Sequence, residues 1–121
     1  MKKNNRHMKL NLSVIKENEA ERLVLVSVIG LLDSLGKDLL TIEDCEHYLF
    51  SPYSVSILEE KGINEKIIEI IELGCELEDI QTLMPDKLKK GIKDLKMQAS
   101  ELLKETSPSE DPYEVKKWLD K

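Results

Sequence analysis

The sequence has few aromatic residues, few cysteines and no long apolar run. Aromatic residues make up 4% of the 121 positions, and the composition is dominated by leucine, isoleucine, lysine and glutamate, which favours helix over sheet. Cys45 and Cys75 are the only cysteines and no secretory signal accompanies them, so we expect reduced thiols in a cytoplasmic protein. The most apolar stretch, residues 23–32, is far shorter than the roughly 20 residues that span a bilayer. No membrane partner is therefore expected.

Motifs for catalysis and ligand binding are also scarce. Cys45 and His47 lie two positions apart, which on a helix separates their directions by about 200° and suits no nucleophile–base pair. Glu43 and His47 have the i, i+4 spacing that two metal ligands need, but no third ligand lies nearby. Cys75 has carboxylates as sequence neighbours, which favour an inert thiol. The isolated glycines form no phosphate-binding loop, so the sequence predicts a protein that is not an enzyme, without catalytic residues, cofactor or metal.

The apolar pattern predicts an all-α fold, a compact bundle of five or six helices. Hydrophobic residues recur at i, i+3, i+4 and i+7 from residue 18 to residue 35, which predicts a first helix with Gly36 as its left-handed C-cap. Leu25, Val26 and Ile29 lie off the main stripe, so this helix is expected to be central or shared with another subunit. The residues expected on the inner stripe are Ala20, Leu23, Val24, Ser27, Val28, Leu31, Leu32 and Leu35.

Capping residues predict the remaining helices. A capping box that begins at Thr41 predicts a helix to about residue 50, and Ser51 before a proline predicts one to about residue 61. Gly62 and Gly74 are expected to end the third and fourth helices, and Asn64 to cap the fourth. A short helix over residues 76–83 and a long one over residues 85–104 follow. The residues expected to face inward are Ile67, Ile70, Ile71, Leu77, Ile80, Leu83, Leu88, Ile92, Leu95, Ala99 and Leu102.

The two ends of the chain differ in composition from its middle. Residues 1–7 are predicted to be disordered, residues 8–104 to form the single helical domain, and residues 105–121 to form a linker and a short helical tail. Residues 8–14 alternate apolar and polar side chains, which fits a short strand or an extended arm equally. Two further alternatives stay open: Trp118 docks on the core or lies in a loose tail, and translation starts at Met1 or at Met8.

Negative charge is concentrated in one stretch of the sequence. Residues 41–84 hold 11 Asp and Glu against two lysines, although the whole chain has a formal charge of only −6. The segment LGCELEDI, residues 73–80, has the glycine and the short following helix of a helix-turn-helix, but its acids would repel DNA phosphates. No nucleic acid is therefore expected as a partner. The acids expected to bind a partner are Glu72, Glu76, Glu78 and Asp79.

Three segments form a distinctive signature: EAERLVLVSVIGLLDSL at residues 19–35, LTIEDCEHYLFSPYS at residues 40–54 and LGCELEDIQTLMP at residues 73–85. With them the chain resembles a family of small uncharacterised bacterial proteins, a domain of unknown function. The resemblance covers roughly residues 10–104, and the tail beyond Ser107 lies outside it. Because that family has no assigned activity, cofactor or catalytic residue, the resemblance implies only that these segments belong together.

These observations rank three functional expectations. The first is a non-enzymatic cytoplasmic protein that uses its acidic surface to bind a basic protein, and a toxin-neutralising immunity protein is one concrete form of it. The alternative is a homo-oligomeric structural or adaptor protein, such as a homodimer formed through the first helix. A DNA-binding regulator ranks below both.

Overall fold

The computed structural model describes residues 6–108, 110 and 117–121. Its elements are β1 (Asn11–Leu12), α1 (Glu17–Gly36), α2 (Ile42–Tyr48), α3 (Pro52–Lys61), α4 (Glu65–Cys75), α5 (Leu77–Leu83), α6 (Leu88–Glu105) and β2 (Leu119–Asp120), with a 3₁₀ turn at Pro85–Lys87. The all-α class predicted from the sequence is confirmed in the main, since the described sheet is limited to two short strands. Four helices, α1, α3, α4 and α6, have ten residues or more, whereas α2 and α5 have seven each. The frame of the bundle is thus four helices, rather than the five or six predicted.

The central helix is α1, which lies antiparallel to α6. Near the start of α1, the Arg22 guanidinium donates a hydrogen bond of 2.7 Å to the carbonyl oxygen of Thr106, just beyond the end of α6. Near the end of α1, Asp33 forms an ion pair of 3.0 Å with Lys96 in the middle of α6. Because α1 also contacts α2 and α4, the central position predicted for the first helix is confirmed.

The buried face of α1 differs from the predicted stripe. Leu25, expected to lie off the stripe, is fully buried, whereas Ser27, expected on it, is exposed. Val28, Leu32 and Leu35 are buried as predicted. The difference arises because α1 is apolar nearly all round, so the rotation of the helix is decided by its neighbours and not by its own pattern.

The predicted N-caps of α2, α3 and α4 are confirmed. The Thr41 hydroxyl accepts a hydrogen bond from the Asp44 backbone at 3.0 Å, and the Asp44 carboxylate accepts one from the Thr41 backbone at 2.9 Å. The side chains of Ser51 and Asn64 accept hydrogen bonds from backbone N–H groups in the first turns of α3 and α4. Gly62 ends α3 as predicted, and it does so in the left-handed conformation, with φ of +80°.

Two other predicted glycine caps, Gly36 and Gly74, are wrong. Gly36 keeps helical geometry at the end of α1, and the left-handed residue of the following turn is Asp38, with φ of 60°. Gly74 lies inside the last turn of α4, which continues to Cys75. A Cβ at position 74 would lie 2.8 Å from Cγ of Phe50. The glycine therefore permits a close approach between α4 and an aromatic ring, and does not serve to reverse the chain.

Most of the predicted inner positions of the later helices are confirmed, and Leu83 is the exception. Its side chain is 74% exposed, because α5 ends there and Met84 turns the chain into the 3₁₀ segment. Ile80, Leu88 and Leu102 pack against the core while partly exposed. The residues buried as predicted are Ile67, Ile70, Ile71, Leu77, Ile92, Leu95 and Ala99.

The two strands join the two ends of the chain. β1 and β2 are antiparallel, with Leu12 opposite Leu119, and Ser13 donates a backbone hydrogen bond of 2.9 Å to the carbonyl oxygen of Trp118. A strand thus forms within residues 8–14, but only over two residues, because its partner is equally short.

The helical tail predicted after the linker is wrong for Leu119 and Asp120, which are extended. Trp118 is half-buried beside them. Residues 113–116 of the predicted tail lie outside the described residues, as do residues 109, 111 and 112 of the predicted linker and residues 1–5 of the predicted disordered segment.

Candidate functional site

The four acids predicted to bind a partner lie at the corner between α4 and α5. Glu72 is in the last turns of α4, Glu76 separates the two helices, and Glu78 and Asp79 are in the first turn of α5. All four are exposed, because the fully buried Leu77 directs the apolar side of α5 into the core. Four negatively charged side chains are therefore exposed around the junction of α4 and α5.

A fifth acid, Glu46 on α2, reaches this corner and was missed by the sequence reasoning. Its carboxyl group lies close enough to that of Glu78 on α5 for the two groups to interact. Glu46 belongs to the acid-rich stretch of residues 41–84, so composition gave a signal. Its position depends on α2 lying beside α5, which no local pattern predicts. We call Glu46, Glu72, Glu76, Glu78 and Asp79 the acidic corner.

Within the acidic corner, the surroundings of Glu46 disfavour its charged form. The pKa of Glu46 is raised above its ordinary value of 4.5, first because partial burial disfavours the charged form, and then because of the hydrogen bond with Glu78 and its charge. The charge of Glu43 raises this pKa further, and that of His47 opposes the rise. Two carboxyl groups from different helices are thus held together although their charges repel.

Among the described residues, no lysine or arginine forms an ion pair with the acidic corner. The ion pairs of the described residues lie elsewhere. They join Asp33 at the end of α1 to Lys37 and to Lys96 of α6, and Asp94 to Lys90 within α6. The negative potential of the corner is therefore open to solvent. Such a field repels a polyanion and attracts a cationic surface.

The two thiols lie next to the acidic corner and are poor nucleophiles. Burial raises the pKa of Cys45, and the charges of Asp44 and Glu46 add to this effect. Burial also raises the pKa of Cys75, with further contributions from carboxylates that include Glu46 and Glu72. Because the thiolate is the reactive form, these shifts keep both thiols protonated near neutral pH and chemically quiet.

Neither a metal site nor a membrane span is found in the part of the chain that the structure describes. Glu43 and His47, spaced i and i+4 on α2, belong to no group of three or more His, Cys, Asp or Glu side chains that could hold a metal ion. None of the described helices is both long and apolar enough to cross a lipid bilayer.

Comparison with known families assigns the chain to one of them. Residues 15–120 match the sequence model of a family described as "Protein of unknown function (DUF3969)". The chain belongs to this family. Searches among curated proteins and among solved structures found no match. The resemblance to an uncharacterised domain, stated from the sequence, is thereby confirmed.

The DUF3969 match also corrects the extent of that resemblance. The sequence signature reaches residue 104 and leaves the tail outside, whereas the family match runs to residue 120 and includes Trp118 and Leu119. The segment that pairs with β1 is therefore part of the family pattern. The whole acidic corner lies within the matched residues as well.

Proposed function

We propose that this DUF3969 protein is a non-enzymatic interaction protein that binds a basic partner protein through the acidic corner. The observation that carries the proposal is the interacting carboxyl pair of Glu46 and Glu78, neither of which forms an ion pair with a lysine or arginine of the described residues. A lysine or arginine from a partner would relieve this repulsion and form charge-assisted hydrogen bonds.

The arrangement also favours a protein partner over a free cation. The acids come from α2, α4 and α5, so they cover a surface and do not converge on one point. An extended surface of one sign speeds the encounter with a surface of the opposite sign and disfavours partners of the same sign. A toxin-neutralising immunity protein is one concrete form of this proposal, and it rests on the small size and acidic charge alone.

The alternative of a homo-oligomer formed through α1 has lost most of its support. Leu25, Val26 and Ile29 suggested it because they lie off the predicted stripe. Leu25 is fully buried and Ile29 packs against the core of the same chain, which leaves Val26, 40% exposed, as the apolar residue available for a partner. An obligate dimer needs a far larger apolar contact.

The experiment is a pull-down with the purified protein as bait, followed by calorimetry with the partner it identifies. The test variant combines Glu76→Lys, Glu78→Lys and Asp79→Lys. The matched control makes the same change of charge elsewhere, with three exposed acids replaced: Glu101→Lys, Glu105→Lys and Glu110→Lys.

We expect the test variant to lose the basic partner and the control to keep it. Affinity should also fall as the salt concentration rises, because exposed charges are screened beyond a Debye length of about 10 Å at 0.1 M salt. A basic partner that binds the test variant as tightly as the unmodified protein would refute the proposal.

A further inference from the structure

We propose that a second surface, separate from the acidic corner, binds an acidic amphipathic helix of a partner protein. This surface is a groove of about 520 Å³ between α1 and α6. We call it the lysine groove. Its floor is apolar and formed by Leu32 and Ile92, and Met97 lines its edge.

The floor of the lysine groove has the composition of a docking surface. Leu32 and Ile92 belong to the core, so the base of the groove is held rigidly by the bundle. Met97 is 53% exposed at its edge, and methionine adapts well to different apolar partners. Gly36 lies beside Ile92 and adds no side chain, which keeps the α1 side open.

Positive charge lines the groove in excess. Lys37, Lys89, Lys93 and Lys96 all line it, against the single acid Asp33. Asp33 is already engaged, with Lys37 and Lys96 both 3.0 Å from its carboxylate oxygens. Lys89 and Lys93 are exposed and form no ion pair with any described residue. The charge that complements this lining is negative.

The spacing of the lysines selects a helix as the occupant. Lys89, Lys93 and Lys96 follow one edge of α6 at i, i+4 and i+7. The groove runs from Lys89 to Ser100, about 16 Å at 1.5 Å per residue, which is the length of three helical turns. A small anion would require groups that converge on one point. A helix with an apolar stripe and flanking acids matches both the apolar floor and the spaced charges.

The experiment measures binding of a fluorescein-labelled amphipathic peptide to the full chain by fluorescence anisotropy. The peptide carries leucines on one helical face and glutamates along both edges, and the control peptide has the same composition in scrambled order. We expect the amphipathic peptide to bind and the scrambled one not to bind. Binding should weaken on raising the salt from about 0.05 M to about 0.5 M.

Four variants distinguish the effect of the lysine charges on peptide affinity from the effect of the shape of the groove. Lys89→Glu with Lys93→Glu should weaken binding by roughly tenfold or more, because like charges then face each other. The matched control, Lys61→Glu with Lys66→Glu, reverses two exposed lysines outside the groove and should leave the affinity unchanged. Asp33→Asn should strengthen binding several-fold, since it releases two lysines.

The fourth variant, Gly36→Phe, fills the groove without changing any charge. A Cβ at position 36 would lie 3.7 Å from Ile92, an ordinary contact, so the ring should cover the floor while the protein stays folded by circular dichroism. Binding should then be lost. Equal affinity for the scrambled peptide, no effect of the Lys89 and Lys93 reversal, or binding only to vesicles of anionic phosphatidylglycerol would each overturn the proposal.

Discussion

At the residue scale, two helical glycines show that the absence of a side chain has opposite consequences at different positions. Gly74 in α4 faces the ring of Phe50, which is almost fully buried. Apart from its chain neighbours and the backbone of its own helix, Gly30 in α1 has no described heavy atom within 4 Å of the position that a Cβ would take. Glycine is thus needed at the first position for space, whereas at the second it only lowers helix stability.

We predict opposite effects of alanine at these two glycines. Gly74→Ala should lower the free energy of unfolding by about 1–3 kcal/mol, because a well-packed ring must move. Gly30→Ala should raise it by about 0.5–1 kcal/mol, because alanine loses less backbone freedom on folding. Urea unfolding followed by circular dichroism at 222 nm measures both. A stabilising Gly74→Ala would show that Phe50 has room to relax.

The carboxyl pair of Glu46 and Glu78 predicts a specific dependence of stability on pH. The pKa of Glu46 is raised in the folded protein, so the folded state binds this proton more tightly than the unfolded state does. Glu46 therefore contributes favourably to the free energy of unfolding below its ordinary pKa of 4.5. This contribution is lost as the pH rises through the raised pKa.

Glu78→Gln should reduce this dependence without abolishing it, because it deletes the negative charge of Glu78 that opposes ionisation of Glu46 but leaves the larger effect of burial in place. Urea unfolding from pH 4 to pH 7 should show the variant gaining stability relative to the unmodified protein as the pH rises. Glu101→Gln, at an exposed site on α6, is the control and should run parallel to the unmodified protein. Parallel curves for Glu78→Gln would mean that the two carboxyl groups do not interact.

At the scale of elements, a single buried carboxylate fixes the start of one helix against another. A carboxylate oxygen of Glu21 on α1 accepts a hydrogen bond of 2.9 Å from the backbone N–H of Asn64. The Asn64 side chain in turn accepts one of 2.8 Å from the backbone N–H of Lys66 in α4. The central helix therefore positions the residue that caps α4, and α4 carries part of the acidic corner.

Glu21→Ala should lower the free energy of unfolding by about 1.5–3 kcal/mol, the range for hydrogen bonds to charged groups. Amide hydrogen exchange at Asn64 should accelerate more than exchange elsewhere, since this N–H loses its acceptor. Glu17→Ala, at an exposed position on the same helix, serves as the control and should change stability by less than about 0.5 kcal/mol. Similar costs for the two variants would contradict this role for Glu21.

What the sequence predicts of these elements depends on how local the deciding contact is. The caps at Thr41, Ser51 and Asn64 are made by residues within three positions, and sequence reasoning finds them. The role of Gly74 depends on Phe50, and the place of Glu46 in the acidic corner depends on Glu78. Both partners are far away in sequence, so the local pattern predicts a helix end at Gly74 and does not indicate that Glu46 belongs to the acidic corner.

At the scale of the whole molecule, charge of the two signs is separated onto different surfaces. The acidic corner is built by α2, α4 and α5, whereas the lysine groove is built by α1 and α6. The chain thus presents two surfaces that suit partners of opposite charge. Repulsion within the acidic surface opposes folding at low ionic strength.

Salt should therefore stabilise the fold. Raising NaCl from about 0.01 M to about 0.5 M should increase the free energy of unfolding by roughly 1 kcal/mol or less, the scale of exposed charge interactions. The triple reversal at Glu76, Glu78 and Asp79 takes the formal net charge from −6 to zero and should lose this response. The triple reversal at Glu101, Glu105 and Glu110 also reaches zero but should keep it. Equal responses would assign the effect to net charge alone.

The tryptophan fluorescence of this protein depends on the pairing of β1 with β2. The side chain of Asn11 donates to the carbonyl oxygen of Lys121, 110 positions away, and Trp118, the only tryptophan, adjoins the strand pair. Closing so long a loop is entropically costly, so two short strands meet only once the helices have brought them near. Tryptophan emission should therefore report the separation of β1 from β2, which we call the opening of the clasp. This change should occur at a lower urea concentration than the loss of helical ellipticity. Coincident transitions would show that the clasp and the bundle unfold as one unit.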